Sequence, residues 1–364
     1  MKKALFAATA LAAALFATVA SAQERVVNVY NWSDYIDSTI LEDFTKETGI
    51  KVVYDVFDSN EILETKLLAG ATGYDIVVPT GSFLARQITA GVFQKLDKSK
   101  LPNLVNMDPV VSDRLTKYDP GNEYAINYMW GTTGIGYNVK MVKERLGENA
   151  DMTTWASVMD PANLAKLADC GVMMLDTPDE ILPAALNYLG LNPDSQDQAD
   201  NEKAKEHLLK LRPSIRKFHS SEYINALANG DICIAVGWSG DIIQATGRAV
   251  EAGAGVEIAY SIPKEGALMW FDNMAIPTDA KNVAEAHEFM NYIMRPEVAA
   301  KASNYIQYAS GNKASVPLLD AAVSGNPSIY PDETTLNKLY TVSPKDQKTQ
   351  RILTRMWTTI VTGQ

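Results

Sequence analysis

Short apolar runs of strand length alternate along this chain with segments whose apolar residues recur at helical spacing, and cap or turn residues separate them. Arg25-Val26-Val27-Asn28-Val29-Tyr30 predicts a first strand. A helix follows, with Asp37 or Ser38 as its cap and Gly49 as its stop, and Ile50 to Val56 predicts a second strand. Glu61 to Ala69 reads as a helix with Ile62, Leu63 and Leu67 on one face and Gly70 beyond its end. Tyr74-Asp75-Ile76-Val77-Val78 is apolar in its latter part, as a strand covered on both faces is, and Phe83 to Ala90 is the next helix. Together these make one βαβα lobe of a doubly wound α/β architecture.

Gly131-Thr132-Thr133-Gly134-Ile135-Gly136-Tyr137-Asn138 places three glycines in six residues, the composition of a segment that bends or passes close to other backbone. Its spacing matches neither nucleotide-loop fingerprint. It reads as the first crossing into a second lobe. That lobe is expected to hold the strand Val172 to Leu175, helices from Leu182 to Leu189 and Glu202 to Leu211, and the strand Ile232 to Val236. The chain is expected to return around Val256 to Ile262, with a strand from Trp270 to Ile276 and a helix from Ala284 to Met294 ended by Arg295-Pro296. The resulting division is 23–131 with 256–310 for lobe one and 132–255 with 311–364 for lobe two.

Lys2 and Lys3 precede an apolar run from Ala4 to Val19 and then Ala20-Ser21-Ala22, the small-residue spacing of a signal-peptidase site. Cleavage after Ala22 is expected, leaving Gln23 as the new start. The run is too short to span a bilayer comfortably, and no cysteine near the site offers a lipid anchor, so a periplasmic product is expected. The remaining 342 residues exceed what one hydrophobic core usually organises, which supports two lobes. They carry 31 basic and 44 acidic side chains, a formal charge of −13 that disfavours nucleic acid and attracts cations. Two cysteines, Cys170 and Cys233, are placed in a chain expected to meet an oxidising compartment; a single disulfide is the simplest account and two buried thiols the alternative.

In open parallel sheets ligands bind beyond the carboxyl ends of the strands. Here those ends deliver Asn31-Trp32-Ser33-Asp34-Tyr35, Pro79-Thr80-Gly81-Ser82, Asp176-Thr177-Pro178-Asp179-Glu180 and Gly237-Trp238-Ser239-Gly240-Asp241, and Trp270-Phe271-Asp272 adds a third pairing of Trp with Asp. Taken singly, each residue has an ordinary role open to it, Trp in a core or Asp as a helix cap. Three such pairings at strand ends point to a cationic organic guest. An aromatic face attracts an ammonium by ~0.5–2 kcal/mol, and a hydrogen bond to a charged group contributes ~1.5–3 kcal/mol. A few of each reach micromolar binding, about −8 kcal/mol.

At this point a family resemblance is carried by Tyr30-Asn31-Trp32-Ser33-Asp34-Tyr35-Ile36, Thr45-Lys46-Glu47-Thr48-Gly49-Ile50-Lys51-Val52, Gly134-Ile135-Gly136-Tyr137-Asn138 and Asn229-Gly230-Asp231-Ile232-Cys233. The chain resembles the putrescine- and spermidine-binding proteins of bacterial ABC importers over essentially its whole mature length. The resemblance implies a two-lobed periplasmic-binding-protein-like fold of type II, each lobe a mostly parallel sheet flanked by helices, with the ligand cleft between the lobes. It implies a polyamine ligand and an inner-membrane ABC permease as partner; no cofactor and a monomer are expected with it, and the acidic charge and the absence of a Tyr pair beside His go with no nucleic acid and no metal. It also implies roles. Trp32, Ser33 and Asp34 would hold an amine from the first lobe with Thr80, Glu180 would face the opposite amine, Trp238 and Asp241 would come from the second lobe, and Trp270, Asp272 and Tyr308 would complete the lining. The family pairs two cysteines matching Cys170 and Cys233. Trp270 leans towards a longer ligand, whereas Ser82 and Thr177 lean against one, so guest length stays open.

An enzyme on the same scaffold is the competing reading, and its parts are missing: Gly237-Trp238-Ser239-Gly240-Asp241 fails as a nucleophile elbow at Asp241, and His207, His219 and His287 read as helical and remote from the strand ends. A carboxylate binder would present Arg, and ferric binding would call for Tyr or His ligands. A sensory role would use the same pocket as transport.

Overall fold

Asp37 starts the first helix, Ser38–Thr48, by accepting from the Thr39 N–H, and Gly49 ends it at φ 70°, a conformation that glycine adopts without steric cost. Similar local signals place most of the expected elements in this computed structural model, which describes residues 24–253 and 255–364. The expected leader and its cleavage site lie outside the described residues.

Among the described residues ten strands are present: β1 (Val26–Trp32), β2 (Lys51–Phe57), β3 (Ile76–Val77), β4 (Ala125–Asn138), β5 (Val172–Met174), β6 (Lys217–Phe218), β7 (Ile234–Trp238), β8 (Ile258–Ser261), β9 (Met269–Ala275) and β10 (Ala309–Ser310). Their path is β2-β1-β3-β9-β4-β7-β5-β6, with β8 and β10 also on β4. The outer wings are parallel, β2-β1-β3 on one side and β7-β5-β6 on the other. The centre is antiparallel, because β4 runs against β9, β7, β8 and β10. The sheet is therefore mixed within the expected two-lobed α/β fold.

β4 joins the lobes. Its first half, Ala125–Thr132, pairs with β9, and its second half, Thr133–Asn138, lies along β7 and β8. The glycine segment is thus part of a continuous 14-residue strand, and its glycines serve close approach. A Cβ at Gly131 would stand 2.7 Å from the Trp270 indole, and one at Gly136 would stand 2.5 Å from Ile242.

Two hydrophobic cores sit on either side of this junction. One gathers Val29, Ile40, Phe44, Ile76, Met290 and their neighbours; the other gathers Trp155, Leu182, Leu208, Ile234 and theirs. The expected return near Val256 is corrected by the strand pairing: β8 fills the free edge of β4 in the second lobe, so the chain goes back only between Ser261 and Met269. The carboxyl-terminal stretch is divided as well. Leu353, Met356, Trp357 and Ile360 of the helix Gln347–Thr362 join the second core, whereas Leu319, Val323 and Ile329 pack with Trp130 and Phe271 at the junction.

Two smaller expectations also change. The helix Asn60–Ala69 buries Leu63 and Leu67, while Ile62 points outward and is 49% exposed. His219 is not helical: it follows β6 and its Nδ1 accepts from the Ser221 and Glu222 N–H groups, ordering the approach to the helix Tyr223–Asn229.

Cys170 and Cys233 form a disulfide across 63 residues. They precede β5 and β7, whose parallel register sets Val172 beside Ile234, so the bridge staples the ends of these strands opposite to the ends that carry Glu180 and Trp238. Closing a loop of this length contributes about 4 kcal/mol in the chain-entropy account.

Candidate functional site

Alternation along β9 aims Trp270 and Asp272 at one face while Phe271 goes to the opposite side, into the junction core. Trp270 has Gly131 as its cross-strand neighbour, and the missing side chain there leaves room for the indole to lie against β4. At the end of β1, Trp32 is fixed by donating its Nε1–H to the Val78 carbonyl at 2.9 Å. At the end of β7, Trp238 faces it from the other lobe, with ring centroids 5.5 Å apart and planes at 76°; Trp270 stands 6.5 Å from Trp238 and 5.4 Å from Tyr308, also edge to face. The lobes are closed on one another.

Three carboxyl groups are held within this aromatic frame. Asp272 accepts from Tyr35 Oη at 2.9 Å and from Thr80 Oγ1 at 2.6 Å, and Thr80 is itself held by Asn60. Asp241, in the first turn of the helix Ser239–Glu251, accepts from Tyr223 Oη and Tyr308 Oη, each at 2.7 Å. Glu180, in the first turn of the helix Pro178–Tyr188, accepts a short hydrogen bond from Thr133 Oγ1 and a longer one from Trp238 Nε1 at 3.4 Å.

Burial dominates their acid–base behaviour. It pushes Glu180 up to about 8, Asp272 up to about 7 and Asp241 up to about 6, in each case against the opposing pull of the hydroxyl donors. Glu61, from the helix Asn60–Ala69, is a fourth carboxyl group on the wall, raised by burial to about 7, and its Oε1 is buried without a hydrogen-bond partner. The Trp270 Nε1 is also buried and unpaired. Asp58 lines the mouth, so five acidic residues line the cleft, and among the described residues no Lys, Arg or His does.

Of the residues expected from sequence, Trp32, Ser33, Thr80, Glu180, Trp238, Asp241, Trp270, Asp272 and Tyr308 converge on this one cleft. Asp34 does not. It is exposed, adopts φ 55°, and its Oδ1 is drawn 2.6 Å from Arg248 Nη2 on the facing lobe, so its carboxylate bridges the rim instead of lining the cavity. Sequence reasoning gave no role to Tyr35, Asn60, Glu61, Thr133 or Tyr223. Tyr35 and Thr133 lie inside segments already singled out; Glu61, on a helix with Glu64 and Lys66, looks like part of a solvated face.

A cleft between two α/β lobes, joined by crossing strands and walled by side chains from both, defines a two-lobed binding protein. The family model for bacterial extracellular solute-binding proteins matches residues 39–330, and the chain belongs to that family. It is 54% identical over 358 residues to the putrescine-binding periplasmic protein PotF of Escherichia coli, covering 98% of this chain and 96% of PotF. It is likewise 54% identical over 363 residues to the putrescine-binding periplasmic protein SpuD of Pseudomonas aeruginosa, covering 99% of each. Among solved structures, a putative spermidine/putrescine ABC transporter protein from Listeria monocytogenes superposes with a TM-score of 0.82 at 34% identity, covering 92% of this chain and 98% of that one.

Proposed function

We propose that this protein is the periplasmic substrate-binding component of an ABC importer and that it captures a polyamine, with putrescine as the diamine that matches the cleft. The observation that carries this reading is the cleft's lining: carboxyl groups and aromatic faces and, among the described residues, no basic side chain. Several buried carboxyl groups are costly to ionise together, and a diammonium guest supplies the counter-charge. Asp241 and Asp272, held on Tyr35, Thr80, Tyr223 and Tyr308, take one ammonium; Glu180 takes the other; Trp32, Trp238 and Trp270 wall the methylenes between them.

The role is binding without chemical change. Lobe closure around the crossings buries the guest, and the closed pair of lobes is the surface that an inner-membrane permease recognises. Export to the periplasm and a monomeric state belong to the same reading; the names of the relatives at 54% identity, which are periplasmic proteins, support the export. Isothermal titration with putrescine, spermidine, spermine and a set of amino acids tests it. Saturable heat with polyamines alone is expected; saturation by an amino acid, or by no polyamine, overturns it.

A further inference from the structure

Beyond Glu180 and Trp270 the cleft continues into a second compartment, lined in part by Thr80, Ser82, Thr177 and Asp179. Asp179 and Glu180 are adjacent in the first turn of the helix Pro178–Tyr188, so their side chains diverge around its axis: Glu180 lines both compartments, whereas Asp179 lines the extension and not the main cleft. Glu61 stands close enough to Asp179 for their charges to oppose each other, and its Oε1 has no donor. This end of the cleft therefore holds more acceptor capacity than a diamine uses.

The chain answers part of that charge itself. Lys345 Nζ lies 3.2 Å from Asp179 Oδ1, and both side chains are less than one-tenth exposed. The two are close without being aligned as a hydrogen bond, since Asp179 Oδ1 has no donor in hydrogen-bond geometry. Arg86 is the other nearby cation, 3.9 Å from Asp179 Oδ2, but it is committed to Glu64 at 2.6 Å and to Gln350 at 3.0 Å. Lys345 belongs to the same segment as Val342, which lines the extension directly. A lysine tip is a primary alkylammonium on a methylene chain, chemically the end of a polyamine.

We infer that Lys345 is a specificity-determining residue: from within the chain, its ammonium neutralises the carboxylate that would receive the third ammonium of a longer guest, and so favours diamines over triamines. The inference rests on the polyamine reading and adds to it a cause for guest length. A triamine entering the extension meets a resident positive charge and no free Asp179. Removing that charge frees Asp179 and leaves Glu61 as a second acceptor.

The test is calorimetric titration of the full exported chain with putrescine and spermidine, for the wild type, K345Q, K345R and the double variant K345Q/D179N. K345Q is expected to raise the ratio of spermidine to putrescine association constants about tenfold, the effect of one charge-assisted hydrogen bond gained. K345R is expected to stay near the wild-type ratio, and D179N to cancel the gain. If K345Q does not fold, K345M preserves the methylene packing and removes the charge. Putrescine binding with an unchanged ratio in the neutral variants overturns the inference alone, whereas a wild type that titrates with neither amine overturns the polyamine reading and the inference with it.

Discussion

Tyr308 and Asp241 come from opposite lobes and are joined twice: the Tyr308 hydroxyl donates to Asp241 Oδ1 at 2.7 Å and accepts from the Asp241 backbone N–H at 3.1 Å. The close approach is possible because Gly240 lacks a side chain; a Cβ there would stand 2.5 Å from the Tyr308 ring. The pair therefore couples closure to the carboxylate that is meant to meet the guest. Asp241→Asn removes a charge-assisted hydrogen bond and is expected to weaken putrescine binding about 10- to 150-fold. Tyr308→Phe is expected to weaken it less, while raising the pH needed for binding, because Asp241 loses a donor that favours its ionised form. Titration at several pH values checks both.

The Asp34–Arg248 ion pair also spans the lobes, at 2.6 Å, but its side chains are 38% and 31% exposed. Water screens such a pair, and its contribution is at most about 1 kcal/mol. Arg248→Ala is expected to change the dissociation constant by less than about fivefold, and more at low salt than at high. A loss of two orders of magnitude in titration would mean that the rim, and not the cleft, carries the affinity.

The raised carboxyl groups give a pH dependence with a definite sign. Glu180, Asp272 and Asp241 sit near 8, 7 and 6 in the closed cleft, above the ordinary range of about 4 for carboxyl groups. Without a cationic partner, their protonated forms therefore stabilise the closed arrangement. That contribution is full below about pH 4 and is lost as pH rises through 6 to 8. A diammonium guest selects the ionised forms, so its affinity is expected to rise between pH 5.5 and 8 with release of protons. Titrations in buffers of different ionisation enthalpy check this; equal affinity and no proton release across the range contradict it.

Gly131 supports Trp270 from below. Gly131→Ala places a Cβ 2.7 Å from the indole and is expected to push the ring into the cleft, costing about 1–3 kcal/mol as overpacking does and weakening guest binding. The double variant G131A/W270F is expected to recover much of the affinity, because the smaller ring has room. Thermal unfolding and titration of both variants distinguish this account from general destabilisation.

Much of this site was legible from residue order because its parts fall at the ends of strands whose limits are local signals. Asp37, Gly49 and the apolar Ile76–Val78 run mark elements without reference to distant partners. The antiparallel centre was not legible. β4 finds β9 more than 130 residues away, and nothing in Ala125–Thr132 names that partner. The same gap hid the place of β8, whose few residues read as a return to the first lobe until their pairing with Ile135–Asn138 is seen. Asp34 sits in the most recognisable motif of the chain, yet its partner, Arg248, is set by closure of the lobes. Glu61 became a cleft residue only through the burial of its helix face.

Buried carboxyl groups at both ends of one cleft are expected to hold both ammoniums of a diamine. Comparing putrescine with butylamine, which has the same four carbons and a single ammonium, tests it most directly. Calorimetric titration near pH 8 is expected to give micromolar or tighter binding for putrescine and at least about a hundredfold weaker binding for butylamine, the loss of one charge-assisted contact and its burial. Equal affinities for the two amines would contradict the account.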